Sequence, residues 1–550
     1  MSKKTSFLLP LTLLFLIGCG SKPVLEGEGV KISGTVTYDR IPVKVDNYGS
    51  VKLDYQNTIK KASPNVLVKA IDSSGQVLAT ASTDSSGKYQ VYVPENTNVK
   101  IRVYARLYNE GRWDVSVVDN TSQKATYVIE GALHDSGTSP SLRDLHARSG
   151  WNGSSYTGSR EAAPFAILDS INQAMQKVIG ANSKVQFPQL TVNWSVNNVA
   201  ASGDRERGQI VTSNYDGESN LWILGDADSD TDEYDDHIIV HEWGHFFEDK
   251  FSRSDSIGGP HSSGDLLDIR VAFGEGWGNA LSGIVTDNPI YFDTSGPSQE
   301  VGWFMNLESA NPENPGWFSE ASIQRILYDL YDEKNDGNDN LHLGFTPIFN
   351  AMINKERNTK AFTSIFTFID ALKSENSGKA SKIDQIVSSE KISTISDEYG
   401  NYQTNTANGN YTTPIYRSLE VGKWVTQCNK NNFGVYNKLG NRTFIKVNIN
   451  SAGMYNFDAT PYGGAYGDPD IVIYKAQYPL DSLGMSPLEG SSSDTLSINL
   501  TPGDYLVEVY DASFNNSCFV VKLDKSSNSY KSTSMAKQSA KRKPETMPQY

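Results

Sequence analysis

The chain has 550 residues, enough for about three or four domains, and its 38% hydrophobic content permits buried cores. A formal net charge of −15 argues against a nucleic-acid partner, whose phosphates would repel it. Three cysteines rule out a disulfide-framework protein, and their spacing offers no Cys-ligated metal.

Residues 1–19 read as an export signal. Lys3 and Lys4 precede FLLPLTLLFLIG, an apolar stretch short for a bilayer span, and small residues close it. Leu16-Ile17-Gly18-Cys19 resembles the bacterial lipobox. That resemblance implies that Cys19 becomes the lipid-bearing first residue, with 20–30 as a tether. An ordinary secretory signal with an incidental cysteine is the alternative. No Asp follows Cys19, so the resemblance implies an outer-membrane or cell-surface destination in a bacterial envelope. No second apolar run approaches spanning length, so lipid would be the only membrane contact.

Residues 31–130 alternate apolar and polar positions in KISGTVTY, NVLVKAID, QVLATAST, KYQVYVP and VKIRVYARL. Polar turns such as Asp72-Ser73-Ser74-Gly75 and Asp84-Ser85-Ser86-Gly87 separate them, a pattern that predicts a β-sandwich. The stretch from GTV to YVP resembles the carboxypeptidase regulatory-like module, which implies an accessory domain without catalysis.

From about 140 to 410 the character changes to α+β. The spacing predicts a helix over 160–180, with Phe165, Leu168, Ile171, Met175 and Ile179 on one stripe. QLTVNWSV and GQIVTSN read as strands, and NLWILGD reads as an extended run available to pair with a substrate backbone. Further helices are expected at 267–286, 319–333 and 360–373.

Within this segment lies DDHIIVHEWGHFFED. On a helix His241 and His245 project about 40° apart, so both rings can reach one tetrahedral Zn²⁺. Glu242 then stands to one side, where it can accept a proton from water. Four of the seven histidines (His237, His241, His245 and His261) fall within one short window. A catalytic site needs a third protein ligand, and Glu275 in AFGEGWGNALSG is the strong candidate. Asn279 follows Glu275 by one helical turn, placed to stand behind a ligand.

His-Glu-x-x-His followed by Glu in an E-G-W block resembles the gluzincin, thermolysin-like metallopeptidases, most closely the fungalysin group. The resemblance is strong over roughly 50 residues and holds only in outline over the surrounding domain. It implies a zincin-like fold, His241, His245 and Glu275 as zinc ligands, Glu242 as general base, and protein or peptide substrates. Two positions depart from it. Asn279 stands where the family usually has Asp, and the helix FSEASIQRILYDLYD lacks the expected oxyanion histidine. His342, Tyr328 and Tyr331 are the available substitutes. Asp265 or Asp268 as third ligand is the alternative to Glu275, while His237 reads as a residue of the first helical turn and His261 as a loop or rim residue.

The run Asp226, Asp228, Asp230, Asp232 suggests Ca²⁺. It is not an EF-hand, because Thr231 and His237 occupy the positions that would need Gly and Glu. A solvated acidic loop and a non-EF Ca²⁺ site both stay open.

Residues 411–525 return to β. DPDIVIY and LTPGDYLVEVYD resemble the bacterial pre-peptidase C-terminal domain, a second sandwich. Cys428 and Cys518 form a plausible disulfide bracketing this segment in an oxidising compartment, with two free buried thiols as the alternative. Residues 526–550 are Ser/Lys-rich and lack apolar period, so a disordered tail is expected.

The expected architecture is therefore multidomain, an α+β zincin-like catalytic domain between two all-β sandwich domains. The expected activity is zinc-dependent endopeptidase. A surface adhesin or binding lipoprotein with a degenerate peptidase domain is the rival. An aminopeptidase would need an acidic pocket for the substrate amine, and no motif supplies one.

Overall fold

The computed structural model describes residues 29–45, 50–308, 314–335, 340–403, 414–463, 467–486, 490 and 493–526. The expected signal segment with Cys19, the expected tether up to residue 28 and the expected tail from 527 lie outside the described residues. The chain is strand-rich at both ends and helical in the middle. Among the described residues no helix is long and apolar enough to cross a membrane.

Val30–Arg40 organises the first sheet. Alternate residues of this strand face the core, with Ile32, Val36 and Tyr38 fully buried. It pairs antiparallel with Lys88–Val93 and Ile59–Ala62, and parallel with Ser141–Leu142 and Leu145–Ala147. In a second, ten-stranded sheet seven strands run in the order Asn214–Tyr215, Asn220–Ile223, Leu190–Trp194, Trp113–Asp119, Asn98–Asn109, Val66–Asp72, Val77–Ser82, and three short strands pair beside Asn98–Asn109 and Trp113–Asp119. Leu190–Trp194 lies parallel to Trp113–Asp119, with Leu190 opposite Val115 and Val192 opposite Val117. This sheet thus crosses the boundary expected between residues 130 and 140. Alternation identifies a strand's buried face but carries no information on which distant strand it joins.

Two of the expected extended segments differ. GQIVTSN is irregular apart from a lone bridge at Gln209 and the first residue of Asn214–Tyr215. Val211 has φ +71°, and Ile210 N–H bonds to Val199 O rather than to a ladder. Asn220–Ile223, within NLWILGD, is not an open edge. The Asp216-Gly217 turn folds Asn214 back opposite Trp222 and Tyr215 opposite Leu221, so the short strand Asn214–Tyr215 forms the edge instead.

Seven α-helices lie in the described middle segment: α1 Ala162–Ala181, α2 Asp236–Phe251, α3 Ile269–Thr286, α4 Glu320–Tyr331, α5 Phe345–Ala351, α6 Ile365–Glu375 and α7 Ala380–Ser389. The α6 helix starts later than periodicity predicts, because Ser364 and Thr367 form a capping box at its start. The α1 stripe is buried as expected, with Ile179 only partly so. At the start of α2, Asp236 accepts from Arg40 of the first strand at 2.6 Å and from Ser170 of α1 at 2.5 Å. These bonds seat the helix against both layers.

The C-terminal segment packs a five-stranded sheet (with Arg442–Ile449, Pro469–Lys475 and Gly503–Asp511) against a four-stranded one (with Gly453–Pro461 and Cys518–Lys525). Ile445, Phe457, Ile471, Val507, Phe519 and Val521 fill the space between, all fully buried. Cys428 and Cys518 sit directly opposite on paired strands and are joined as a disulfide. Closing a loop of 90 residues stabilises by about 4–5 kcal/mol in the chain-entropy account.

This sandwich is joined to α3 by a buried ionic network. Arg270, in the first turn of α3, bonds to Asp268 at 2.9 Å and to Glu508 at 3.0 Å, and Glu508 also accepts from Arg442 and Tyr474. Burying these charges costs several kcal/mol per ion, offset here because each carboxylate and guanidinium has several partners.

Candidate metal centre

Helices α2 and α3 cross at an unusually close approach made by glycine. A Cβ placed on Gly244 would lie 3.2 Å from the Gly278 Cα, and one on Gly278 would lie 2.9 Å from the His241 ring. Each glycine inside a helix costs about 1 kcal/mol relative to alanine. The close approach offsets that cost by bringing Phe247 against Trp277 and Leu281 against Gly244, with both Phe247 and Trp277 completely buried. Trp277 Nε1 donates to Gly244 O at 3.1 Å and ties the crossing. On the far side of α3, a Cβ on Gly276 would meet Ile323 of α4 at 2.4 Å.

At this crossing the structure brings three donor groups together. His245 Nε2 is 3.1 Å from His241 Nε2, and Glu275 Oε2 is 3.3 Å from His241 Nε2 and 3.4 Å from His245 Nε2. Tetrahedral zinc with bonds of about 2.0–2.1 Å needs ligand atoms about 3.3 Å apart. Two imidazoles and one carboxylate are also a donor set that zinc favours. The three residues fit a zinc ion, whose fourth coordination position they do not fill. Burial alone would raise the Glu275 carboxyl, but His245, His241 and His261 outweigh it and hold it well below the usual range.

Asn279 Oδ1 lies 2.9 Å from His241 Nδ1, and Asn279 Nδ2 donates to Gln324 Oε1 at 3.0 Å. If Nδ1 carries its proton toward Asn279, Nε2 is left free on the Glu275 side. Glu242 is only partly buried, and its Oε2 accepts from Tyr215 N–H at 2.8 Å. Burial pushes this carboxyl up to about 7, opposed by His241 and reinforced by Glu275. Tyr215 belongs to the short edge strand, so the same backbone that ends the sheet also aims Glu242. Sequence reasoning had no signal for this bond, which joins residues 27 apart through a turn.

His261 stands closer to the centre than a rim residue. Its Nε2 is 3.2 Å from Glu275 Oε2 and its Nδ1 is 2.9 Å from Glu320 Oε2. Its ring does not belong to the group of donor atoms lying within 4.8 Å of one another, which His241, His245 and Glu275 form. Burial opposes its charge, yet the two flanking carboxylates raise it to about 10.

The other candidates lie elsewhere. His237 is buried with its Nε2 3.2 Å from Asn288 O and from Thr286 Oγ1. Asp268 caps α3 and pairs with Arg270, and Asp265 accepts from Ser262 N–H and pairs with Lys438, so neither takes the third-ligand place. Tyr331 donates to Asp287 at the far end of α3, and the Tyr328 ring packs where a Gly283 Cβ would be. Gly283 is about 12 Å along the helix from Glu275. His342 Nδ1 bonds to Asp332 O at 2.8 Å.

The acidic run also separates. Asp226 Oδ1 accepts from Asp228 N–H in a turn, and neither residue joins a donor group. Asp230 and Asp232 instead meet Asp293, with carboxylate oxygens within 4.8 Å of one another. Strand pairing of Asp230 with Ser295 brings the distant Asp293 into range. Burial, with repulsion from Asp293, raises Asp230 to about 7, and burial raises Asp293 to about 6. Burial holds Asp232 and the adjoining Asp235 well above the usual range, and the Oδ1 of fully buried Asp235 has no hydrogen-bond partner.

Residues 180–387, which hold all of these groups, match the family model of the mycolysin C-terminal domain. That match points to a metallopeptidase family and covers well under half of the chain. No curated protein matches. Among solved structures, the pre-peptidase C-terminal domain of a Bacillus anthracis collagenase is 10% identical, covering 20% of this chain and 94% of its own, with a TM-score of 0.17. PliG, a periplasmic inhibitor of g-type lysozyme from Aeromonas hydrophila, is 12% identical over 20% of this chain and 97% of its own, with a TM-score of 0.13. A carbohydrate-binding module of Cellvibrio mixtus lichenase 5A is 16% identical over 19% of this chain and 87% of its own, with a TM-score of 0.12. At such scores none of the three bears on function.

Proposed function

We propose that the chain is a zinc-dependent endopeptidase of the bacterial cell envelope, held there by lipid on Cys19, that hydrolyses peptide bonds in protein substrates. The observation carrying this reading is the convergence of His241, His245 and Glu275 beside Glu242, on a helix pair inside the segment that matches the mycolysin C-terminal domain. Zinc held by these three residues would polarise a carbonyl and make water more acidic. Glu242 accepts the proton of the attacking water and passes it to the leaving amine, a role worth about 10²–10⁴-fold. The Tyr215 N–H keeps its carboxylate turned toward the edge strand. Asn279 holds His241 in orientation, and the edge strand Asn214–Tyr215 takes the substrate-pairing role first expected of NLWILGD.

Glu242→Gln tests this directly. The variant should keep zinc and lose cleavage of an unfolded protein such as reduced, alkylated albumin, while a chelator abolishes wild-type cleavage. Full activity in the variant would refute the assignment of Glu242. The rival reading, a binding lipoprotein whose metal only stabilises the fold, is supported by Asn279 and by the missing oxyanion histidine. It predicts zinc without turnover in the wild type.

The acidic group supports a second cation. Asp230, Asp232 and Asp293, with the unpartnered Asp235 oxygen nearby, offer oxygen ligands suited to Ca²⁺, at a place only partly foreseen in the Asp226–Asp232 run.

A further inference from the structure

One oxygen of Glu275, Oε2, meets His241 and His245 and also His261, which Glu320 grips in turn. Glu320 lies in the first turn of α4, where the helix fixes its backbone, and its Oε2 takes the second ring nitrogen of His261. The chain Glu320–His261–Glu275 therefore holds one carboxylate oxygen beside both imidazoles.

The loop bearing His261 has little secondary structure of its own, and the C-terminal sandwich holds it. Tyr436 OH donates to Ile257 O at 3.1 Å, Asn437 Nδ2 to Gly258 O at 3.0 Å, and Lys438 Nζ to Pro260 O at 2.6 Å. Asp268 N–H donates to Asn437 O and Leu439 N–H to Leu266 O, both at 2.8 Å, which clamps the other end of the loop. Gly259 adopts φ +100°, and a Cβ there would strike the Tyr436 ring at 2.6 Å, so loop and turn are fitted closely. Beyond the loop, Arg270 of the metal-bearing helix ends on Glu508 of the same sandwich.

Resting on the metal-site reading above, we propose that His261 is a positioning residue for Glu275, and that the turn 436–438 of the C-terminal sandwich is a working part of the metal site because it holds His261 in place. A purely structural pairing, in which His261 only neutralises two buried acids, would affect folding without changing the metal. The two differ in what the cation senses.

The test is zinc affinity of the full chain, read by competition with a chromophoric chelator, together with the visible spectrum of the cobalt(II)-loaded chain. His261→Ala should weaken zinc binding by about 10–100-fold and change the cobalt absorption, and His261→Gln, which keeps a donor, should recover part of both. The double variant Asn437→Ala, Lys438→Met, whose side chains do not reach the trio, should weaken zinc by about three- to tenfold. Combined with His261→Ala it should add little, because both act through the same ring. Circular dichroism of the zinc-free chains checks that each variant is folded, and a misfolded double variant is replaced by Tyr436→Phe, read in the same way. Stoichiometric zinc in the wild type with unchanged affinity in either variant, or fully additive losses, overturns the proposal alone. A wild type that takes up no zinc overturns the metal-site reading and this proposal with it.

Discussion

The side-chain oxygen of Asn279 rests 2.9 Å from Nδ1 of His241, one helical turn beyond Glu275 on the same helix. An amide accepts an imidazole N–H less strongly than a carboxylate does, because it carries no charge. Asn279 is also tied to Gln324, so it is fixed in orientation. Asn279→Asp should tighten zinc binding, and Asn279→Ala should loosen it by about 10–100-fold, as measured by chelator competition. Equal affinity in all three chains would show that this bond does not orient His241.

Gly278 provides a second test of the same face. A methyl group there would meet the His241 ring at 2.9 Å, so Gly278→Ala should displace the ring and reduce metal affinity at least tenfold. Gly180 of α1 has open space around its missing side chain. Gly180→Ala should therefore leave metal binding unchanged and stabilise by at most about 1 kcal/mol. Zinc titration with a thermal melt on each variant separates the two effects.

The acidic group predicts a pH dependence whose sign can be worked out. Unfolded Asp titrates near about 3.9, whereas burial raises Asp230 to about 7 and Asp293 to about 6 in the folded chain. Between these values the folded state binds more protons, so these groups lower stability as pH rises from about 4 to 7. Calcium bound to the ionised group should offset that loss. The rise in Tm on adding calcium should be larger at pH 8 than at pH 5, and Asp232→Asn should remove most of it. A calcium response independent of pH, or intact in Asp232→Asn, would count against a cation there.

Much of the central geometry could be read locally. The convergence of His241 and His245 follows from i, i+4 spacing on a helix, and Asn279 follows Glu275 by the same rule. The alternating strands of 31–130 and of the C-terminal segment were legible because period-2 burial leaves a plain trace. What escaped depends on contacts between distant segments. No local pattern could place Leu190–Trp194 beside Trp113–Asp119, or Asp293 beside Asp230 and Asp232. His261 was visible as a histidine in a glycine-rich loop, but its seat against Glu275 is set by Glu320 and by the turn 436–438, which lie far along the chain. GQIVTSN shows the opposite failure: Ile210 is buried but Val211 is exposed at a positive φ, so the segment forms no ladder.

The most direct test of the central claim is the zinc content of the purified chain by elemental analysis after dialysis against metal-free buffer. The account predicts one zinc per chain in the wild type and in Glu242→Gln, falling below about a tenth in the double variant His241→Ala, His245→Ala and at least severalfold in Glu275→Ala. A wild-type chain without bound zinc, or zinc retained in full after loss of both imidazoles, would contradict it.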